Sequence, residues 1–302
     1  MNPTVSIVIP TYNRSNSIRA AVESVLRQTW TDFELLVVDD CSTDSTVAEI
    51  KAITDPRIRW MSTQQNMGPS GARNVGIQAA TGDWVAFQDS DDEWLPEKLD
   101  LQMQLLLAPG ANHIAAYCGM VAVGSAENTT QTQRTQTCYI PDSSKTGVDG
   151  NILPTSLTSS LVSTQTLIAR RDILGLIGGF DENLPALVDW ECVLRLAQHG
   201  TFAFVDTPLV IQYFSSNSVT RERWRRAQAR RRIVEKHHDL MVEIPGVLTR
   251  HYRSIAGEER RLGQYKNARQ AIAMARKFSP FNLRLWLITI AMIGWRDHGN
   301  QV

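Results

Sequence analysis

Val5-Ser6-Ile7-Val8-Ile9 runs directly into Pro10-Thr11-Tyr12-Asn13-Arg14. A short β-branched run that stops at turn-forming residues reads as a buried strand, and the pattern Ser17 to Gln28 behind it reads as a helix. The same unit then repeats. Phe33 to Val38, Ile58 to Ser62 and Trp84 to Phe87 are strand-like, with helical patterns at Ser45 to Ile53, Ser70 to Ala80 and Pro96 to Leu107, the last opened by proline. Alternating βα units predict an α/β fold, a mostly parallel sheet flanked by helices, with ligands bound beyond the carboxyl ends of the strands.

With 302 residues, 43% hydrophobic and 21% charged, the chain is of ordinary globular composition, which excludes fibrous, collagen-like and wholly disordered proteins. Its 31 basic and 31 acidic residues cancel, yet they are segregated. Residues 1–110 hold 8 basic and 15 acidic residues, residues 111–220 hold 5 and 9, and residues 221–302 hold 18 and 7. An acidic body offers carboxylates to a metal, and a basic tail is suited to an anionic partner. The isolated Cys41, Cys118, Cys138 and Cys192 form no CxxC pair, so neither a zinc ribbon nor a disulfide framework is expected. The first apolar run is only strand-length, so no secretory leader and a cytoplasmic location are expected.

Further along, His113 to Val123 and Thr164 to Ala169 are strand-like, Arg171 to Ile177 and Leu187 to Gln198 helical, and the Thr- and Gln-rich Ser125 to Ser160 reads as a long loop, a lid or a disordered insertion. Beyond Thr220 come basic helical patterns at Arg221 to Leu240, Leu248 to Leu262 and Tyr265 to Phe278. The expected organisation is residues 1–220 as one domain, with halves 1–110 and 111–220, and residues 221–302 as a basic all-helical region. Leu283 to Ile293, followed by Trp295, is too short to cross a bilayer and reads as either an interfacial segment or a buried helix.

Three groups of residues lie at strand ends. Tyr12 can stack on a base and Asp39 or Asp40 can accept a ring N–H, although a turn tyrosine and a helix-capping Asp explain them as well. Gly68-Pro69-Ser70-Gly71-Ala72-Arg73-Asn74-Val75-Gly76 opens a helix where Arg73 can meet a phosphate. It matches neither the dinucleotide fingerprint nor the P-loop. Asp89-Ser90-Asp91-Asp92-Glu93 sets four carboxylates within five residues, a costly cluster unless a hard divalent cation offsets the repulsion, although a helix start can also absorb one or two of them.

In order, Pro-Thr-Tyr-Asn, Val-Val-Asp-Asp, Gly-x-x-x-Ala-Arg-Asn-x-Gly and Asp-Ser-Asp-Asp resemble glycosyltransferase family 2, over roughly residues 4–220. The resemblance implies the A-type nucleotide-sugar transferase fold and a surface-glycan transferase using Mn²⁺ or Mg²⁺. It implies a nucleotide-sugar site of Pro10, Thr11, Tyr12, Asn13, Asp39, Asp40, Gly71, Arg73, Asp89 and Ser90. Within that site Tyr12 and Asp40 hold the base, Asp89 faces the ribose and Asp91 ligates the metal. Gly178-Gly179-Phe180-Asp181-Glu182 with Val188-Asp189-Trp190-Glu191 resembles the acceptor-side motif, which implies Asp189 as catalytic base and Asp92, Trp190 and Glu191 as acceptor-side candidates.

Two departures stand out. Val188 replaces the usual acid before the base, and Gln212 and Phe214 stand where relatives often carry Arg-x-His. The expected function is an inverting, metal-dependent transfer from a nucleotide diphosphate donor, with a uridine diphosphate sugar expected, to a saccharide or lipid-linked acceptor in cell-surface polysaccharide synthesis. The alternative is a catalytically silent nucleotide-sugar-binding or scaffold protein at the membrane surface. The arginine-rich run from Arg221 to Arg232 reads as a solvated helix or as a contact with anionic lipid, making the protein peripheral on the inner membrane face. Nucleic acid is not an expected partner, since no recognition motif accompanies the charge.

Overall fold

A computed structural model describes residues 3–125, 135–141, 147–213 and 223–292. The chain divides into two compact units, the first made of Met1–Ser156, Ser160–Glu182 and Val188–Asn217, the second of Leu157–Ser159, Asn183–Leu187 and Ser218–Val302.

The first unit is built on one sheet. Its leading strands are β1 (Val5–Thr11), β2 (Phe33–Asp39), β3 (Ile58–Ser62) and β4 (Trp84–Phe87), and they run parallel in the order β3-β2-β1-β4. Every residue of β1 and β2 is buried, as a continuous apolar run in a two-faced sheet requires. Side chains alternate between the faces. Val5, Ile7 and Ile9 join a core with Ile18, Val22 and Val25 of α1 (Ile18–Leu26), Ile50 of α2 (Thr46–Lys51) and Leu99 and Met103 of α4 (Lys98–Leu106). Val8 faces the other way, toward Ala72 and Ile77 of α3 (Gly68–Ala79). Helix α3 lies directly on β1 because residue 76 is glycine: a Cβ there would stand 2.4 Å from Val8 Cγ1.

The remaining strands are β5 (Glu93–Trp94), β6 (His113–Ser125), β7 (Thr135–Ile140), β8 (Ile168–Arg170) and β9 (Thr201–Tyr213). They extend the order through β8-β6-β9-β5, with β7 on β6, and bring antiparallel pairings, so the sheet is mixed. Three features depart from the sequence reading. The stretch Ser125 to Ser160 is not one loop: β7 pairs with β6 from Ser125↔Thr135 to Met120↔Ile140, Gly150 bridges Phe202, and α5 (Leu153–Ser156) follows, while 126–134 and 142–146 lie outside the described residues. Strand β9 has no counterpart in the sequence reading, its run being interrupted by Asp206-Thr207-Pro208. In the fold these residues lie within the strand, where its register against β6 shifts around Gly119, opposite Pro208. Thr164 to Thr166 form a 3-10 turn ahead of β8 rather than strand.

Helices α6 (Arg171–Leu176) and α7 (Val188–Leu196) complete this unit, with Leu174, Cys192, Val193 and Leu196 in the α3-side core.

The second unit is helical: α8 (Arg223–Lys236), α9 (His238–Val242), α10 (Val247–Arg261), α11 (Tyr265–Phe278) and α12 (Leu283–Ala291). The single helix expected from Arg221 to Leu240 is broken at His237, and Arg221 lies outside the described residues. Helices α10 and α11 form a hairpin, turning at Gly263 with φ +73° and burying Ala268, Ala271 and Ala275. Among the described residues no helix is long and apolar enough to cross a membrane.

Candidate active site

The carboxyl ends of β1 and β2 are level, Thr11 pairing with Asp39, so the segments that follow them lie side by side. Polar bonds join these segments. Asn13 N donates to Ser42 Oγ at 2.9 Å, Thr43 N donates to Asn13 Oδ1 at 2.8 Å, and Arg14 N donates to Thr46 Oγ1 at 2.7 Å. Asn13 and Cys41 take φ of 50° and 65°, a left-handed backbone sparsely used by non-glycine residues and found most often where function constrains the chain. Asp40 is buried, and its Oδ1 accepts from Thr63 Oγ1 at 2.9 Å and Met67 N at 2.8 Å. Asp39, also buried, accepts from Ser42 N at 3.2 Å. Tyr12 is 46% exposed beside these fixed carboxylates, an aromatic face available for stacking.

Helix α3 brings Arg73 to the end of β4. Its guanidinium is buried, donates from Nη2 to Asp89 Oδ1 at 2.5 Å and lies 5.5 Å from the centre of the Phe180 ring. Arg73 Nε, Thr11 Oγ1 and Gln88 Oε1 are buried without a hydrogen-bond partner, and all three belong to the strand-end motifs. Buried polar atoms left this way mark a place where a ligand or water completes the bonding. Gly71 serves packing rather than an open cradle, since a Cβ there would meet Met67 Cβ at 2.5 Å.

The acidic segment divides by environment. Asp89 pairs with Arg73, and Asp91 Oδ2 lies 3.4 Å from Arg14 Nη2. Burial, and then the charge of Asp89, hold the Asp91 carboxyl above its ordinary range, against the opposing pull of Arg14 and Arg73. Ser90 is buried between them. Asp89 and Asp91 thus offer hard oxygen donors whose mutual repulsion a divalent cation would relieve. Among the described residues no three His, Cys, Asp or Glu side chains gather as a metal cluster. Asp92 is different. Burial and the charges of Asp89 and Asp91 push its carboxyl up to about 9, its Oδ1 accepts from Tyr213 N at 3.1 Å, and Gln165 bonds it as well. It fastens the acidic segment to β9, reinforced by the Glu93↔Ile211 and Trp94↔Val210 pairs.

At the start of α7, Asp189 is half-buried and accepts from Trp190 N at 2.8 Å. Burial raises its carboxyl above the usual range; Arg73 lowers and Asp89 raises it further, so Asp189 shares the electrostatic field of the strand-end residues. Its neighbours do not join it. Trp190 is buried with Nε1 donating to Ser156 O at 2.7 Å, and Glu191 is fully buried, accepting from Arg195 Nε at 2.9 Å and Nη2 at 2.6 Å. In this structure both side chains are engaged within the first unit. Gln212 is half-buried on β9, and Phe214 lies outside the described residues.

Two residues without an assigned role in the sequence reading matter here. Arg14 supplies the cation beside Asp91, signalled only by its place next to the Pro-Thr-Tyr-Asn run. Asn74 clamps the Gly178–Phe180 turn: Phe180 N donates to its Oδ1 at 2.8 Å, and its Nδ2 donates to Phe180 O at 2.9 Å and Glu182 Oε1 at 2.8 Å.

A family model described as glycosyl transferase family 2 matches residues 6–171. Over 103 residues the chain is 42% identical to the UDP-Glc:alpha-D-GlcNAc-diphosphoundecaprenol beta-1,3-glucosyltransferase WfgD of Escherichia coli, covering 34% of this chain and 41% of that protein. The chain spans well under half the length of the first curated relatives it matches, 31% in one and 41% in another. Among solved structures, S. aureus TarS 1-349 in complex with UDP-GlcNAc superposes with a TM-score of 0.67 at 19% identity, over 97% of this chain and 89% of that one. The mannosyltransferase PcManGT from Pyrobaculum calidifontis, in complex with GDP-Man and Mn²⁺, superposes with a TM-score of 0.62 at 20% identity, over 98% and 81%. These likenesses establish the A-type transferase fold.

Proposed function

Since the chain belongs to glycosyl transferase family 2, we propose that it moves a sugar from a nucleotide diphosphate donor, a uridine diphosphate sugar, to a hydroxyl of a saccharide or lipid-linked acceptor in surface polysaccharide synthesis, with inversion at the anomeric carbon. The observation that carries this reading is the gathering of Tyr12, Asp40, Arg73, Asp89 and Asp91 at the ends of β1, β2 and β4, with Asp189 in the same electrostatic field. The name of the E. coli relative, with its diphosphoundecaprenol-linked acceptor and UDP-Glc donor, supports the substrate classes. TarS in complex with UDP-GlcNAc and PcManGT in complex with GDP-Man support the donor class.

In this reading Tyr12 stacks on the base, whose ring N–H meets Asp40 or Asp39, and Asp89 receives the ribose hydroxyls. Asp91, with Asp89 near it, would hold Mn²⁺ or Mg²⁺, which when bound stabilises charge on the departing diphosphate. Arg73 adds a fixed cation beside Asp89. Asp189 takes the proton from the acceptor hydroxyl as its oxygen attacks the anomeric carbon from the face opposite the leaving group. Its raised carboxyl makes it a stronger base once ionised.

The test is calorimetric titration with nucleoside diphosphates and their sugar conjugates, with and without Mn²⁺, on wild type, Asp91→Ala and Asp189→Ala. Metal-dependent binding of one nucleotide, lost in Asp91→Ala and kept in Asp189→Ala, is expected. No binding of any nucleotide under any condition overturns the reading. Val188 and Gln212 favour a second one, a silent nucleotide-sugar binder at the membrane surface, for which Asp189→Ala would leave cellular function unchanged.

A further inference from the structure

Helix α12 is apolar on two opposite faces, and only one of them is used. Leu285 and Met292, seven residues apart, are buried within the second unit. Leu283, Trp286, Leu287 and Ile290 fall at i, i+3, i+4 and i+7, which aligns them on one face, and all four are exposed. Phe281, just ahead of the helix, is 98% exposed. Scattered single apolar residues on a surface need no explanation, but an aligned set of four does.

The charge around this face is one-sided. From Arg260 to Ile290 the chain carries seven Lys and Arg and no Asp or Glu. Lys277, near the end of α11, and Arg284, on α12, are exposed, and the Arg276 guanidinium lies 3.3 Å over the centre of the Trp286 ring, whose Nε1 donates to Pro280 O at 2.8 Å. An apolar helix face with an indole at its edge and cations around it matches the layers of a bilayer surface, acyl chains below and anionic head groups above. At nine residues the helix is too short to span one.

We propose that Phe281, Leu283, Trp286, Leu287 and Ile290 insert into the interfacial layer of an anionic phospholipid membrane, with Lys277 and Arg284 on the head groups, so that α12 is an in-plane anchor. The proposal deepens the proposed function, on which it rests only for its purpose, since a lipid-linked acceptor is presented at a membrane. Binding of lipid and binding of nucleotide are separate measurements, so either can fail without the other.

The full chain is sedimented with vesicles of phosphatidylcholine mixed with phosphatidylglycerol and with vesicles of phosphatidylcholine alone, at low and high salt. Expected is partition onto the anionic vesicles, weakened by salt, and lowered at least about tenfold in Leu287→Asp/Ile290→Asp and in Lys277→Glu/Arg284→Glu. These positions are exposed, so melting temperature and nucleotide affinity should stay at wild-type values, which excludes unfolding as the cause. Three results overturn the proposal: no partition onto anionic vesicles at low salt, partition unaffected by both double variants, or a wild-type dimer in solution that Leu287→Asp/Ile290→Asp dissociates without any vesicle binding. The last would assign the face to a second copy of the chain.

Discussion

Arg73 reaches across from α3 to place its Nη2 2.5 Å from Asp89 Oδ1, joining two separate strand-end motifs in one ion pair. The arginine is buried and the aspartate is partly open, so the pair is anchored at one end and accessible at the other. Removing the arginine leaves Asp89 beside Asp91 with less positive charge to balance them. Arg73→Met should cost about 2–3 kcal/mol of stability, and a double-mutant cycle with Asp89→Asn should return a coupling of at least about 1 kcal/mol. Urea unfolding of the four proteins measures both.

Asp189 should act on turnover without touching the donor. Asp189→Asn keeps the shape and is expected to lower the transfer rate by about 10²- to 10⁴-fold while nucleotide affinity stays within about threefold. The wild-type rate should fall as pH drops through a value above the ordinary carboxylate range, because protonation removes the base and burial has raised that carboxyl. A pH profile of single-turnover rates tests both statements.

Gly76 is a packing requirement with a measurable cost. Gly76→Ala places a methyl 2.4 Å from Val8 Cγ1, so α3 must move away from β1, carrying Arg73 with it. A loss of about 1–3 kcal/mol is expected, together with weaker nucleotide binding. Unfolding midpoints and titration calorimetry would separate the two effects.

In the second unit, His251 Nε2 donates to Leu157 O at 2.7 Å, and its Nδ1 accepts from Arg230 Nη1 at 3.2 Å, which fixes the neutral ring. Burial, and then the charges of Arg230 and Arg250, lower its pKa to about 4 against the bonus of the Leu157 carbonyl. The unfolded chain therefore binds a proton between about pH 6.5 and 4 that the folded chain refuses, so stability is full above 6.5 and declines as pH falls through this window. The loss should approach, at most, about 3 kcal/mol. Denaturant midpoints measured at pH 7.5, 5.5 and 4.5 would register it, and His251→Gln should flatten the slope.

The βα repeat, the strand-end motifs and the α10–α11 hairpin were legible because local pattern and tertiary role coincide there. Val5 to Thr11 is mostly apolar because both its faces are covered, and Ala268, Ala271 and Ala275 are small because a helix crosses them. Strand β7 was not legible, since Thr135 to Ile140 has no alternating apolar signal and its pairing with β6 comes from residues distant in sequence. Strand β9 was concealed by its own irregularity at Pro208. Within the site, residue type pointed to chemistry but not to burial: Asp92 and Glu191 look alike on paper with Asp91 and Asp189, and only the fold shows them bonded to Tyr213 and Arg195.

The bonds from Asn13 to Ser42 and Thr43 have a thermodynamic meaning of their own. Two loops that would otherwise sample many arrangements are cross-braced in the free protein, so under the proposed function little configurational entropy remains to be lost on nucleotide binding. Association at that end of the sheet should resemble docking onto a rigid seat, with the fold itself having met the ordering cost.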